Sequence, residues 1–230
     1  MTHEGLVEII ESYNAGSLPR FSATRSLTPE VVVARVWKNE PTGGLVDSRS
    51  QKYYFVLADG FCVAVVYDMH DYGYPGGELH WLVLEGHRKR GYLHRALQST
   101  IFPHMFQDDR KIQFATAKEP DAIRYAERQG FQRCQDQTYA PHGSVRLELE
   151  PTKAMLGVDV RGQNKRMSRT EIEEMKRRLR QAASLVVSVS ETLELNTGID
   201  KLFLDEVAGD LESARERLWL DYEDHVDLMS

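Results

Sequence analysis

The sequence predicts an α/β protein, a mixed central sheet flanked by helices and followed by an α-helical hairpin. Three observations predict it. Between about Lys52 and Glu150, aromatic and β-branched runs alternate with helical periodicities, the pattern of strands and helices that share one sheet. After Pro151 the β signals stop, and two long apolar stripes at helical spacing follow. The composition, 230 residues at 41% hydrophobic and 28% charged, is that of an ordinary globular chain, long enough for one large domain with an appendage.

Taken in order, residues 3 to 13 read as a short helix, with Leu6, Ile9 and Ile10 at helical spacing. Thr28-Pro29-Glu30 offers an N-cap, a proline at the first helical position and an early acid, which predicts a helix over Pro29 to Lys38. The run Val31-Val32-Val33 argues for a strand in the same place. Tyr53 to Ala58 and Phe61 to Tyr67 flank the turn dipeptide Asp59-Gly60, a β-hairpin by its turn chemistry. A second turn region, Asp71 to Gly77, leads into a strand over Glu78 to Leu84. A helix follows from Tyr92 to about Phe106, carrying Leu93, Ala96, Leu97 and Ile101. Lys111 to Ala117 is a strand, Asp121 to Gln129 a helix, and Phe131 to Cys134 and Ser144 to Glu150 two further strands. Residues 157 to 168 are polar and contain glycines; Ser168 and Thr170 are candidate caps for the first tail helix, and Asn196-Thr197-Gly198 separates it from the second.

Charge and cysteine usage exclude several classes. With 29 Lys+Arg against 35 Asp+Glu the net charge is −6, which opposes whole-molecule binding to nucleic acid. Cys62 and Cys134 are far apart and in no metal-type spacing, as expected of free thiols in a reducing compartment. His70, His80, His87 and His94 form no recognisable metal set either. No apolar run approaches the length of a membrane span, and the acidic N-terminus lacks the basic start of a secretory signal. The expectation is a cytoplasmic protein with no metal and no membrane association.

The most informative stretch runs from Glu78 to Leu97. A strand enters a turn made of Arg88, Lys89, Arg90 and Gly91, and a helix begins at Tyr92. Free N–H groups at a helix start, its dipole and three cations together suit a pyrophosphate. Gly91 permits close approach of the backbone. The plainer reading is a strand-to-helix turn with a solvated basic surface.

This stretch resembles the acyl-CoA-binding motif of the GNAT superfamily, Gln/Arg-x-x-Gly-x-Gly/Ala, with Arg88 and Gly91 in the matching places and Leu93 where Gly or Ala is usual. About thirty residues on, Glu119 to Phe131 looks like the family's Asn-x-x-Ala-x-x-Leu-Tyr-Glu-Lys-x-Gly-Phe helix: Ala122, Glu127, Arg128, Gly130 and Phe131 match, while Ala126 replaces the tyrosine. The resemblance covers residues 50 to 150. It implies a GNAT-like acyl-CoA-binding domain over 1–150; outside it, the residue pattern predicts a linker over 151–168 and a helical hairpin over 169–230 for oligomerisation or partner binding.

The activity implied is acyl-CoA-dependent N-acyl transfer: acetyl passes from acetyl-CoA to a primary amine, on a small molecule or a protein, by direct attack. The main chain of Leu82 and Leu84 would hold the pantetheine arm and polarise the thioester, with Arg88, Lys89, Arg90, Gly91, Tyr92 and Leu93 around the pyrophosphate. Glu78 stands where several relatives keep a base, and His80 shares its face because side chains alternate along a strand. Tyr125 lies one residue, or about 100° of helix, from the family's acid, so packing is its expected task. Asp71, Tyr72 and Tyr74 form a candidate acceptor wall for a cationic amine, or an ordinary hairpin tip.

Residues 161 to 180 hold eight basic and three acidic side chains, and residues 181 to 230 hold three and twelve. In an antiparallel hairpin the two ends would neutralise each other. The stripes still need burial, so the tail points to a homo-oligomer or a protein partner. The alternative function is a catalytically degenerate GNAT-fold structural or adaptor protein, such as a phage particle component, acting through its helices.

Overall fold

The computed structural model describes residues 2–19, 22–36, 51–70, 76–107, 110–138, 140–158, 160, 168–198 and 202–227. By contact density the chain divides into two units, residues 1–162 and 163–230.

Among the described residues the first unit is built on one eight-stranded sheet of order β1-β2-β3-β4-β5-β6-β8-β7. Helix α1 (His3–Asn14) is capped by Thr2, whose hydroxyl accepts from the Gly5 N–H. It precedes β1 (Ser22–Thr28) and β2 (Val31–Val36). The helix expected over Pro29 to Lys38 is thus a strand as far as Val36, and residues 37 and 38 lie outside the described residues. Pro29 and Glu30 make the turn instead, and Val31 to Val36 pair with β3 (Gln51–Ala58) from Val31↔Val56 to Val36↔Gln51. Cross-strand burial of β-branched side chains outweighs a local capping signal here.

Strands β3 and β4 (Phe61–His70) form the expected hairpin, with φ of 52° at Asp59 and 81° at Gly60, the two positive values that a two-residue primed turn requires. Strand β5 (Gly76–Val83) pairs antiparallel with β4. The chain then forms a short 3₁₀ turn (Glu85–His87), α2 (Tyr92–Ala96), a π-helical turn (Leu97–Ile101) and α3 (Phe102–Phe106). Pro103 accounts for the π turn. It has no N–H to give the Ser99 carbonyl and would clash with it, and the wider turn lets Phe102 N–H reach Leu97 O. Next come β6 (Ile112–Ala117), α4 (Pro120–Arg128), the two-residue β7 (Gln132–Arg133), β8 (Val145–Leu149) and α5 (Lys153–Leu156).

Two apolar layers cover the sheet. On one face, Leu6 and Ile10 of α1 pack with Tyr53, Phe55, Val65, Tyr67 and Leu82. Asn14 closes that helix onto β4: its amide donates to the Cys62 carbonyl at 3.0 Å, and its side-chain oxygen accepts from the Cys62 N–H at 2.8 Å. Cys62 itself is fully buried and free, its thiol pushed up to about 12 by burial. On the other face, Leu93, Leu97, Ile101, Phe102 and Met105 pack with Ile123, Ala126 and Phe131 over Tyr54, Val66, Leu79 and Leu147.

The second unit is a helix pair, α6 (Arg169–Thr197) and α7 (Leu202–Asp227). Ser168 and Glu171 form a reciprocal capping box at its start, and Gly198, at φ 63°, closes α6. Ser190 donates to Asp205 at 3.0 Å between the two helices. Lys176, Arg177 and Arg178 pair with Glu173 and Glu174 on their own helix, so part of the basic run is neutralised locally rather than across the pair. The hydrogen bonds from Arg177 and Arg178 hold the Glu174 carboxyl down to about 2. No described helix is long and apolar enough to cross a membrane.

Candidate active site

Strand β5 has two unlike ends. Gly76 to Leu79 pair in parallel with β6, from Gly76↔Ile112 to Leu79↔Ala115, and there the ladder stops. The strand continues to Val83 along β4 alone, while Thr116 and Ala117 of β6 pair only with β8. Beyond Leu79 and Ala115 the backbone pairing of the two parallel strands ends, which leaves a gap in the ladder between them.

Peptide groups point to alternate edges of a strand. Leu84 N–H donates to the Val63 carbonyl at 3.0 Å, so Leu84, Leu82 and His80 turn their peptides toward β4. Trp81 and Val83 turn theirs into the gap. The side chains of Leu82 and Leu84 pack on the α1 face, and their main chain, expected to hold a ligand arm, faces β4 rather than the gap.

The open end of the gap leads to the basic turn. Arg88 Nε donates to the Val83 carbonyl at 3.3 Å. Lys89 (φ 62°) and Gly91 (φ 79°) both take left-handed conformations, which bend the chain sharply before α2. At Gly91 a Cβ would meet nothing within 4 Å, so the need for glycine there is conformational rather than steric. The N–H groups of Gly91, Tyr92, Leu93 and His94 have no hydrogen-bond partner among the described residues. Arg88, Lys89 and Arg90 are exposed around them. A diphosphate fits the donor set: unsatisfied N–H groups at the head of a helical rod, surrounded by cations. Leu93 is 4% exposed and packs into the core. Its side chain is therefore directed into the core and away from the exposed basic turn.

Glu78 and His80 project from the α1 face of β5, both half-buried, opposite Met69 and Tyr67 of β4. The His80 ring stacks on Tyr67 with centroids 6.1 Å apart, and its Nε2 is buried with no partner among the described residues. Burial holds the imidazole below its ordinary value, opposed by the Glu78 carboxylate. This favours the neutral imidazole, with one buried nitrogen left without a partner among the described residues. Asp71, Tyr72 and Tyr74 lie outside the described residues.

On the helix face the residue after Leu79 is Trp81. Its indole meets Tyr125 of α4 edge-on at 6.0 Å and Phe131 at 6.1 Å. Ala126 is fully buried. Tyr125 packs as expected, but its hydroxyl is buried and unpartnered among the described residues, and burial pushes it up to about 12. A buried hydroxyl without a partner is costly, and sequence spacing alone gave no sign of it.

The closed end is held by a polar cluster that sequence reading missed. Arg110 grips Asp68 with two hydrogen bonds, at 2.9 and 3.0 Å, and also donates to Gln113. The Gln113 amide in turn donates to the Gly77 carbonyl, and Lys52 lies 3.9 Å from Asp68. All four side chains are buried. A Cβ on Gly77 would stand 3.0 Å from Asp68 Oδ1 and from the Met69 carbonyl, so a larger residue there would have to push the clamp apart by a few tenths of an ångström.

No protein-family model matches the chain, and no curated protein does. Solved structures that match it are GNAT-family acetyltransferases, and α6 and α7 fall outside the shared part. The chain is similar to an acetyltransferase of the GNAT family from Bacillus anthracis at 16% identity, over 44% of this chain and 65% of that one, with a TM-score of 0.36. It is similar to the ribosomal-protein-S18-alanine N-acetyltransferase from Escherichia coli at 16% identity, over 44% and 68%, TM-score 0.36. A third is the N-acetyltransferase PseH from Campylobacter jejuni, solved with acetyl coenzyme A, at 12% identity over 44% and 69%, TM-score 0.36. The chain thus spans just under two thirds of the first of these structures. Likeness of this degree carries no argument about substrate or mechanism.

Proposed function

We propose that the chain is an acyl-CoA-dependent N-acyltransferase that moves an acetyl group to a primary amine. The observation that carries this reading is the gap between β5 and β6, which runs from a closed apex at Leu79 and Ala115 to the basic turn at Arg88 to Gly91. An extended ligand arm with a diphosphate at its far end matches that shape, its amides meeting the peptide groups that Trp81 and Val83 turn away from β4 and its phosphates the head of α2.

Transfer forms a bond from the amine nitrogen to the thioester carbon and breaks the carbon–sulfur bond. The amine gives up one proton, and the sulfur gains one. His80, neutral with an unsatisfied Nε2, suits the role of base, directly or through a water. Glu78 on the same face favours the imidazolium as it forms. Tyr125, protonated through neutral pH, is the available proton source on the helix face. A peptide N–H in the gap would stabilise the oxyanion. The acceptor is a small-molecule or protein amine, and the helix pair of residues 169 to 227 is the surface for a second copy or a partner.

Calorimetry with acetyl-CoA tests the reading: saturable binding, weakened by Arg88→Ala, is the expected result. No binding of acetyl-CoA or CoA would leave the structural or adaptor role as the better account. Given binding, Glu78→Gln should slow turnover while leaving the affinity for acetyl-CoA unchanged.

A further inference from the structure

Resting on the acyl-CoA reading, we infer that Trp81 sets the length of the acyl group, admitting short chains and refusing long ones. The ligand arm enters from the Gly91 end, so the acyl group lies toward the apex. A carbonyl held by an in-plane peptide N–H of β5 has its own plane close to that of the sheet. An amine attacking from the His80 face then approaches along the sheet normal, and the acyl chain must run on within the sheet.

What lies ahead of it is the resumed ladder at Leu79↔Ala115. That end cannot give way, because Gln113 bonds across to Gly77 and is itself held by the Arg110–Asp68 pair. A chain of more than a few carbons must therefore bend out of the plane. On the His80 face it would occupy the acceptor's place. On the helix face it meets Trp81, wedged between Tyr125 and Phe131. The β6 residues on that same face of the sheet are the small Ala115 and Ala117, so the indole is the bulky group at this point of the gap.

Affinities of the full chain for CoA, acetyl-, butyryl- and octanoyl-CoA, measured by calorimetry, test the inference. The wild type should bind octanoyl-CoA at least about tenfold more weakly than acetyl-CoA, and Trp81→Ala should narrow that ratio to about threefold or less. Trp81→Leu, which keeps an apolar side chain, serves if the alanine variant does not fold, and should narrow the ratio part of the way. Equal affinity of the wild type for acetyl- and octanoyl-CoA overturns the inference, as does an unchanged ratio in the folded variant. Failure of CoA itself to bind overturns instead the acyl-CoA reading beneath it.

Discussion

From Gly77 to Leu79, strand β5 has a neighbour on both edges and sits beside a buried ion pair; from His80 to Val83 it keeps only β4. Local sequence does not explain the contrast, since both halves carry strand-forming residues and the run reads as one strand. The difference lies in β6, whose last two residues, Thr116 and Ala117, pair with β8 and not with β5. Unpaired peptide groups near a protein interior are costly, and the closed end supplies the rigidity that keeps the open end from collapsing onto its neighbour. One half of the strand fixes geometry, and the other half presents donors and acceptors within it.

The largest expected effect lies at the closed end. Asp68→Ala leaves Arg110 and Lys52 buried beside each other without the carboxylate that the guanidinium grips, and should cost about 3–5 kcal/mol in urea or thermal unfolding. A loss below about 1 kcal/mol would mean that the clamp does not hold the strands together.

At the open end, His80→Asn should lower turnover about 100-fold, or about 2.7 kcal/mol, without loss of acetyl-CoA affinity. The pH profile separates this from a packing defect. Burial depresses the folded pKa of His80, so wild-type turnover should fall as pH drops through a value below the ordinary one of about 6.5, and the variant should lose that limb. The same shift bears on stability. Below about pH 6.5 the unfolded chain takes up the proton first, so this contribution is present above the unfolded pKa and is lost as pH falls through the folded one.

Gly91→Val places a β-branched residue at φ 79° and should cost about 1–2 kcal/mol, together with weaker CoA binding. Stability loss with unchanged CoA affinity would show that the turn is not the phosphate site. The smallest effect on stability belongs to Tyr125→Phe. Removing an unpartnered hydroxyl should change unfolding by less than about 1 kcal/mol, in either direction, yet slow turnover; equal turnover would remove Tyr125 as the proton source.

Much of this was legible in the residues. Asp59-Gly60 announced a primed turn, and both residues have positive φ. Gly130, at φ 102°, ends α4 as its position before Phe131 suggests, with Phe131 N–H bonded to the Ala126 carbonyl. The basic run before Gly91 marked the loop at the mouth of the gap. In each case the signal is local: a turn type or a helix end is decided within four or five residues, and glycine placement reports it directly.

What the sequence by itself determined, then, is the order of elements, the turn chemistry and the alternation that puts Glu78 and His80 on one face. The tertiary structure alone decided which edge of β5 lies open, and so that Trp81 and Val83, rather than Leu82 and Leu84, offer their peptides to the gap. It also decided that Leu93 is core, that the Tyr125 hydroxyl is left without a partner, and that Asp68 meets Arg110 across 42 residues of chain. The physical reason is common to all of these. Side-chain alternation is a property of one strand, whereas an open edge, an orphaned hydroxyl and a long-range ion pair depend on which neighbours the fold brings beside it.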